Sequence, residues 1–387
     1  MSSERRIEWS AATQRLVRAR SIFDAHADSI GRAVDLGVDL GERGREGHLD
    51  LVRGSEGGLG AWVVVSWVDP ERYEGGYFDR AAKMMETAHD LEVRHPDRFR
   101  IVANGPELER ARGDDLVAGI LGIEGGHAIE ESLEKLEWFF ERGLRVMTLV
   151  WNNHLSWVRS CQEGAGPEVP EGLSSFGREV VRRMNELGIV VDLSHCGVRS
   201  FYDALETSSR PVIASHSGCL ALHDHQRNLD DDQLRALAAN GGVVGIVFPP
   251  GFLDAEARAE ETRVRASEDY RSLPADDPDL LFVKQQEAMR SLARPMPAER
   301  LVDHVLHAVD VAGIDHVGLG SDYDGIARGP EDLEDASCYG TLAELLLRKG
   351  LTEVDVEKIL GGNMRRAFAE ATGAGTAALD STVRAFA

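Results

Sequence analysis

A closed (β/α)8 barrel of the TIM type is the fold the sequence predicts, and three observations predict it. Short apolar runs rich in β-branched residues recur along the chain, and a longer amphipathic stretch follows each one, as in repeated βα units around a parallel sheet. Eight such runs are present. An open doubly wound sheet would carry a Gly-rich dinucleotide fingerprint after its first strand, and "FDAHADSIG" is no G-x-G-x-x-G.

In chain order the runs are "SIFDAH" (21–26), "AWVVVSW" (61–67), "LVAGILGIEG" (116–125), "RVMTLVW" (145–151), "GIVVDLSH" (188–195), "RPVIASH" (210–216), "GVVGIVF" (242–248) and "HVGLGSD" (316–322). Helical stretches lie between them. In "ESLEKLEWFFERG", Leu133, Leu136, Phe139 and Phe140 fall at helical spacing and Gly143 is a stop. The longest departure is 249–297, after the seventh run. A long βα insertion belongs on the catalytic face of a barrel, as a lid or a subunit contact, although its charged helical composition equally suits a solvated excursion. The whole chain, 1–387, reads as one barrel domain with a C-terminal tail at 371–387.

Bulk properties exclude several partners. A net charge of −23 argues against nucleic acid or an anionic membrane surface, because such partners need basic patches. No run of 18 apolar residues spans a membrane, and the N-terminal "MSSERRIEWSAATQRLVRAR" has no apolar core of a secretory signal. Cys161, Cys196, Cys219 and Cys338 form no C-x-x-C pair, which suits reduced thiols in a cytoplasmic protein.

Functional residues of such barrels come from the C-terminal ends of the strands. The first run ends in His26-x-Asp28, whose two side chains share a face of an extended chain. The third ends in Glu124, the fifth in His195, the sixth in His216 and the eighth in Asp322. Burying such groups in apolar strands is expensive unless they are paired or bind metal. Three imidazoles and three carboxylates suit two divalent cations, most simply Zn2+, about 3.5 to 4 Å apart with a shared water as nucleophile. A carboxylate can bridge two ions and an imidazole cannot, so Glu124 is the expected bridge. A carbamylated lysine is disfavoured as bridge, since none of the five lysines sits at a strand end. His127, His154, His223 and His225 lack that placement; second-shell, substrate-contact and surface roles stay open for them.

Together with these residues, "DAHADS", "GIEGGHAIE", "VVDLSHCG", "PVIASHSGC", "RNLDDDQLRALAANGGVVGI", "DHVGLGSDYDGIARGPEDLEDAS" and "LGGNMRRAF" make the chain resemble the membrane (renal) dipeptidase family, binuclear zinc peptidases among the amidohydrolase-like barrels. The resemblance covers about residues 20–370. It implies that His26 and Asp28 bind a first zinc, that Glu124 bridges, and that His195 and His216 bind a second. It implies that Asp322 moves a proton between nucleophilic water and leaving amine, and that Arg227 holds the substrate's terminal carboxylate. Arginine suits that task because its planar fork meets a carboxylate through two parallel hydrogen bonds. The expected activity is hydrolysis of dipeptides by a metal-bridging hydroxide, those with a C-terminal D-residue included. A small dipeptide is the expected partner, and homodimer assembly stays open.

One departure stands out. Mammalian members carry a histidine on the fourth strand that approaches the substrate, where this chain has Trp151 in "MTLVWNNHLSW". That substitution keeps a second activity in play, metal-dependent hydrolysis of N-acyl amino acids or lactams; a non-catalytic metal-binding barrel is a third reading. Mammalian relatives are lipid-anchored, whereas "GAGTAALDSTVRAFA" lacks the hydrophobic tail of such an anchor.

Overall fold

A computed structural model describes residues 7–273 and 278–373. Residues 374–387 of the expected tail, the first six residues of the N-terminal segment and 274–277 of the 249–297 stretch lie outside the described residues. Nine strands are present among the described residues: β1 (Ile22–Ala27), β2 (Leu59–Trp67), β3 (Phe99–Ile101), β4 (Val117–Glu124), β5 (Leu144–Thr148), β6 (Val190–Asp192), β7 (Ile213–Ser217), β8 (Val243–Val247) and β9 (Val317–Gly320). All pair in parallel. The order β2-β1-β9-β8-β7-β6-β5-β4 closes through pairing of β2 with β4, giving an eight-stranded barrel.

Each of the eight expected runs forms a barrel strand, and β3 is an addition. It pairs with Val117–Gly119 of β4, below the point where β5 takes over the same edge at Leu121. With three residues and an arginine in the middle, β3 offers no apolar run to read. The fifth run is also shorter than expected, ending at Asp192, so His195 lies three residues beyond its strand.

Apolar side chains fill the N-terminal end of the barrel. Val190, Ile213 and Val243, the first residues of their strands, join Phe23, Val63, Ile120 and Val146 in one buried cluster, together with Met364 and Phe368. The last two belong to helix Asn363–Thr372, which packs across β1, β6, β8 and β9. Each fully buried side chain of this size contributes about 1.5–3 kcal/mol. With that end closed by packing, the opposite end is free to carry polar groups.

Local signals set the surrounding helices. Leu133–Glu141 begins where Ser132 accepts a hydrogen bond from the Lys135 amide, and it buries Leu136 and Phe139. Gly143 then takes φ +103°, a left-handed turn that suits glycine. After β8, helices Pro250–Leu253, Ala255–Ala266, Glu268–Arg271 and Pro278–Leu292 precede Ala298–Ala312, which leads back to β9. No described helix is long and apolar enough to cross a membrane.

Candidate metal centre and active site

Imidazoles and carboxylates from five strand ends meet at the C-terminal mouth. Glu124 is the last residue of β4, His26 and His216 lie within β1 and β7, and Asp28 directly follows β1. His195 and Asp322 follow β6 and β9 with φ +66° and +60°. Non-glycine residues there cost about 1–3 kcal/mol and persist where the surroundings fix them.

The atoms converge closely. Glu124 Oε1 lies 2.9 Å from His195 Nε2 and 3.4 Å from His216 Nε2, and the two imidazole nitrogens are 3.1 Å apart. On the other side, His26 Nε2 is 3.6 Å from Glu124 Oε2 and 3.8 Å from Asp28 Oδ2. The ligand-type atoms of His26, Glu124 and His216 lie within 4.8 Å of one another, as do those of His26, Asp28 and Asp322. Ligands held at about 2.0–2.2 Å from a four-coordinate zinc lie about 3.3 Å apart, close to the observed spacings.

Two further observations test the fit to metal. His26 Nε2 and Asp28 Oδ1 are buried without a hydrogen-bond partner, a costly state that a cation would relieve. The electrostatics agree. Burial pushes Asp28 well above the ordinary carboxylate range and Asp322 up to about 6. Burial alone would lower His26, yet the charges of Glu124, Asp28 and Asp322 outweigh it and raise the imidazole to about 10. Burial and the charge of Arg227 push His195 down to about 4, and burial and His26 hold His216 well below its usual value. A proton on one imidazole thus stands among three carboxylates, where divalent charge would fit better. The residues present fit a divalent metal.

The remaining expected residues fall into two groups. Arg227 is buried behind the mouth and donates through Nη2 to the His216 carbonyl at 2.9 Å, while its Nε has no partner. No described carboxylate lies within ion-pair distance of it. His127 instead meets the Val68 carbonyl, and His154 the Ser160 amide and Glu163 carbonyl, both apart from the cluster. His225 accepts from the Arg227 amide and stacks on Phe252, so it supports the arginine's loop; His223 stacks beside it.

Above the cluster opens a cavity of about 600 Å3, with Asp28, Glu124, His195, His216 and Asp322 at its floor. Its walls include Trp67, Tyr73, Trp151, Asn152 and Phe252, and, from the stretch after β8, Glu261, Arg265 and Met289. Trp151 sits 5.1 Å from Trp67 and 6.1 Å from the His195 ring, centroid to centroid. Composition gave no sign of Asn152, whose Oδ1 faces His195 Nδ1 at 2.9 Å. Gly325 was also missed. A Cβ there would lie 2.4 Å from Asp28 Oδ2 and 2.5 Å from Asp322 Oδ1.

A parallel barrel whose strand ends gather imidazoles and carboxylates beneath an open cavity defines a metal-dependent hydrolase. The membrane dipeptidase model, peptidase family M19, matches residues 10–380; the chain belongs to that family and is a metallo-dipeptidase. Dipeptidase tcpJ of Claviceps purpurea is 32% identical over 84% of this chain and 69% of its own length. A Schizosaccharomyces pombe protein named as an uncharacterized dipeptidase is 31% identical over 84% of this chain and 73% of its own. Among solved structures, a family M19 dipeptidase is similar at TM-score 0.76 and 26% identity, covering 91% of this chain and 99% of the other. A Rhodobacter sphaeroides metallopeptidase, liganded with a phosphinate mimic of L-Ala-D-Ala, is similar at TM-score 0.75 and 26% identity, covering 90% and 99%.

Proposed function

We propose that this metallo-dipeptidase works with two Zn2+ ions, one held by His26 and Asp28, the other by His195 and His216, with Glu124 shared between them. The observation that carries this reading is the convergence of three imidazole Nε2 atoms on the Glu124 carboxylate, beside the orphaned His26 Nε2 and Asp28 Oδ1. Bound there, the pair of ions would supply an activated water and polarise the peptide carbonyl.

The chain's own residues then do the rest. Asp322, at the cavity floor beside Asp28, takes the proton of the nucleophile and returns it to the leaving amine. Arg227, a buried guanidinium with no acidic partner within ion-pair distance among the described residues, holds the terminal carboxylate, which favours dipeptides over longer chains. The stretch 249–297 acts as a cover for the cavity, a role supported by the lining residues it contributes. The L-Ala-D-Ala mimic bound by the Rhodobacter relative supports including C-terminal D-residues among the substrates.

A panel of L,L- and L,D-dipeptides with their N-acyl analogues, run beside elemental analysis of the same sample, tests the reading. Two zinc ions per chain and cleavage of free dipeptides are expected; preference for N-acyl compounds would replace dipeptides with amidohydrolase substrates. Asp322→Asn should retain metal and lose about 10²–10⁴-fold in kcat. Unchanged turnover would remove Asp322 from proton transfer.

A further inference from the structure

The donors behind the imidazoles are arranged unequally. His195 has its own partner, Asn152 Oδ1. His26 and His216 share one. The Ser215 hydroxyl lies 3.2 Å from His26 Nδ1 and 2.8 Å from His216 Nδ1, and it is 2.7 Å from Asp192 Oδ2. Ser194 Oγ also comes within 3.3 Å of this hydroxyl and accepts the His216 amide. Ser215, His26, His216, Asp192 and Ser194 are all buried.

Counting donors fixes the protons. A carboxylate only accepts, so the Ser215 O–H must donate to Asp192. Asp192 is itself held in place, receiving the amides of Ser194 and Ser215 on Oδ1 and the Thr148 hydroxyl on Oδ2. With its one hydrogen committed, the Ser215 oxygen has two lone pairs left, and they face the two Nδ1 atoms. Hydrogen on each Nδ1 completes these two bonds, and with a cation in place of the extra proton on His26 both Nε2 lone pairs face the pocket. β1 and β7 are separated in the sheet by β9 and β8, so this hydroxyl ties together ligands from two strands that are not neighbours.

We propose that Ser215 is a positioning residue that orients one imidazole of each ion subsite at once, so that the two metal ions are taken up cooperatively. This rests on the assignment of His26 and His216 to different ions. Loss of the shared hydroxyl weakens both subsites, whereas loss of Asn152 weakens only the one that His195 serves. Outer partners of this kind are worth about 10–100-fold in metal affinity.

The test is titration of chelator-stripped protein with Zn2+ against a competing chromophoric chelator, beside thermal melts of the stripped forms. In Ser215→Ala both ions should bind about 10–100-fold more weakly, with cooperativity lost. Asp192→Asn keeps the shape but lets the amide donate to Ser215, which turns the hydroxyl towards an imidazole; it should weaken uptake without a cavity. Asn152→Ala should weaken one ion. Wild-type affinity for both ions in Ser215→Ala and Asp192→Asn, loss at one ion in both variants, or equal loss at both ions in Asn152→Ala, overturns the coupling. A wild-type protein that binds a single ion overturns the two-ion assignment itself, and the coupling with it.

Discussion

The floor of the cavity and its wall are built on different terms. Floor residues sit on or just after strands, and the Nδ1 atoms of the three imidazoles meet a second layer, His26 and His216 through Ser215 backed by Asp192, and His195 through Asn152. The wall is assembled from the end of β2 and from segments after β1, β2, β5, β8 and β9, and its members meet through rings, as Trp67 meets Trp151 and Arg80 lies over Tyr73, and through surface ion pairs such as Arg80 with Asp35. A floor of this kind tolerates little displacement, since a 1 Å misplacement can cost about 10²-fold in rate. The wall can change its contacts without moving the chemistry. On the proposed reading, catalysis belongs to the floor and substrate choice to the wall.

The sharpest way to break this division is at a place where loop backbone packs against the floor carboxylates. Gly325 packs its Cα side against Asp28 and Asp322, so any side chain must displace one carboxylate or the other. Gly325→Val should lower kcat/KM by about 10²-fold or more and reduce bound metal, read by activity and elemental analysis on the same sample. Full metal and full activity would show that the floor accommodates shifts that the strand-end geometry forbids.

Arg227 is the next test, because it stands at the boundary: a buried charge behind the floor whose proposed work is binding. Arg227→Lys keeps the charge but loses the planar fork. It should raise KM, lowering kcat/KM about 10–100-fold, the worth of a charged hydrogen bond. The decisive comparison is a dipeptide against its C-terminal amide. Wild-type protein should discriminate between them and the variant should do so far less; equal discrimination in both would take Arg227 out of carboxylate recognition.

The same division explains what could be read from the chain. His26, Glu124, His195, His216 and Asp322 were legible because each interrupts or ends an apolar run, where an unpartnered polar group is expensive. That argument applied equally to Asp192 in "VVDLSH" and Ser215 in "IASH", which were passed over because they stand beside stronger metal-ligand types. The eight barrel strands were legible for the same reason, and β3 was not, since Phe99–Ile101 has too few apolar residues to form a pattern. His195 lies three residues past the end of β6 in a left-handed backbone conformation, which no residue type in "DLSH" announces. The wall was illegible for a different cause: Trp67, Tyr73, Trp151, Phe252 and Met289 come from segments far apart in the sequence, and only the closed barrel makes them neighbours.

Trp151 provides the smallest and most selective test. Its indole stands beside His195 and against Trp67, and the His195 Nδ1 bond goes to Asn152 rather than to it. Removing the indole therefore takes away apolar surface without taking away a metal partner. Trp151→His should keep metal content unchanged and shift the ranking among dipeptides by about tenfold, the scale on which apolar pockets discriminate. The reading is kcat/KM for a series varying one residue at a time, with bound metal measured in parallel. A uniform fall across all substrates would place Trp151 with the floor, and an unchanged ranking would place substrate choice in the loops after β2 and β8 instead.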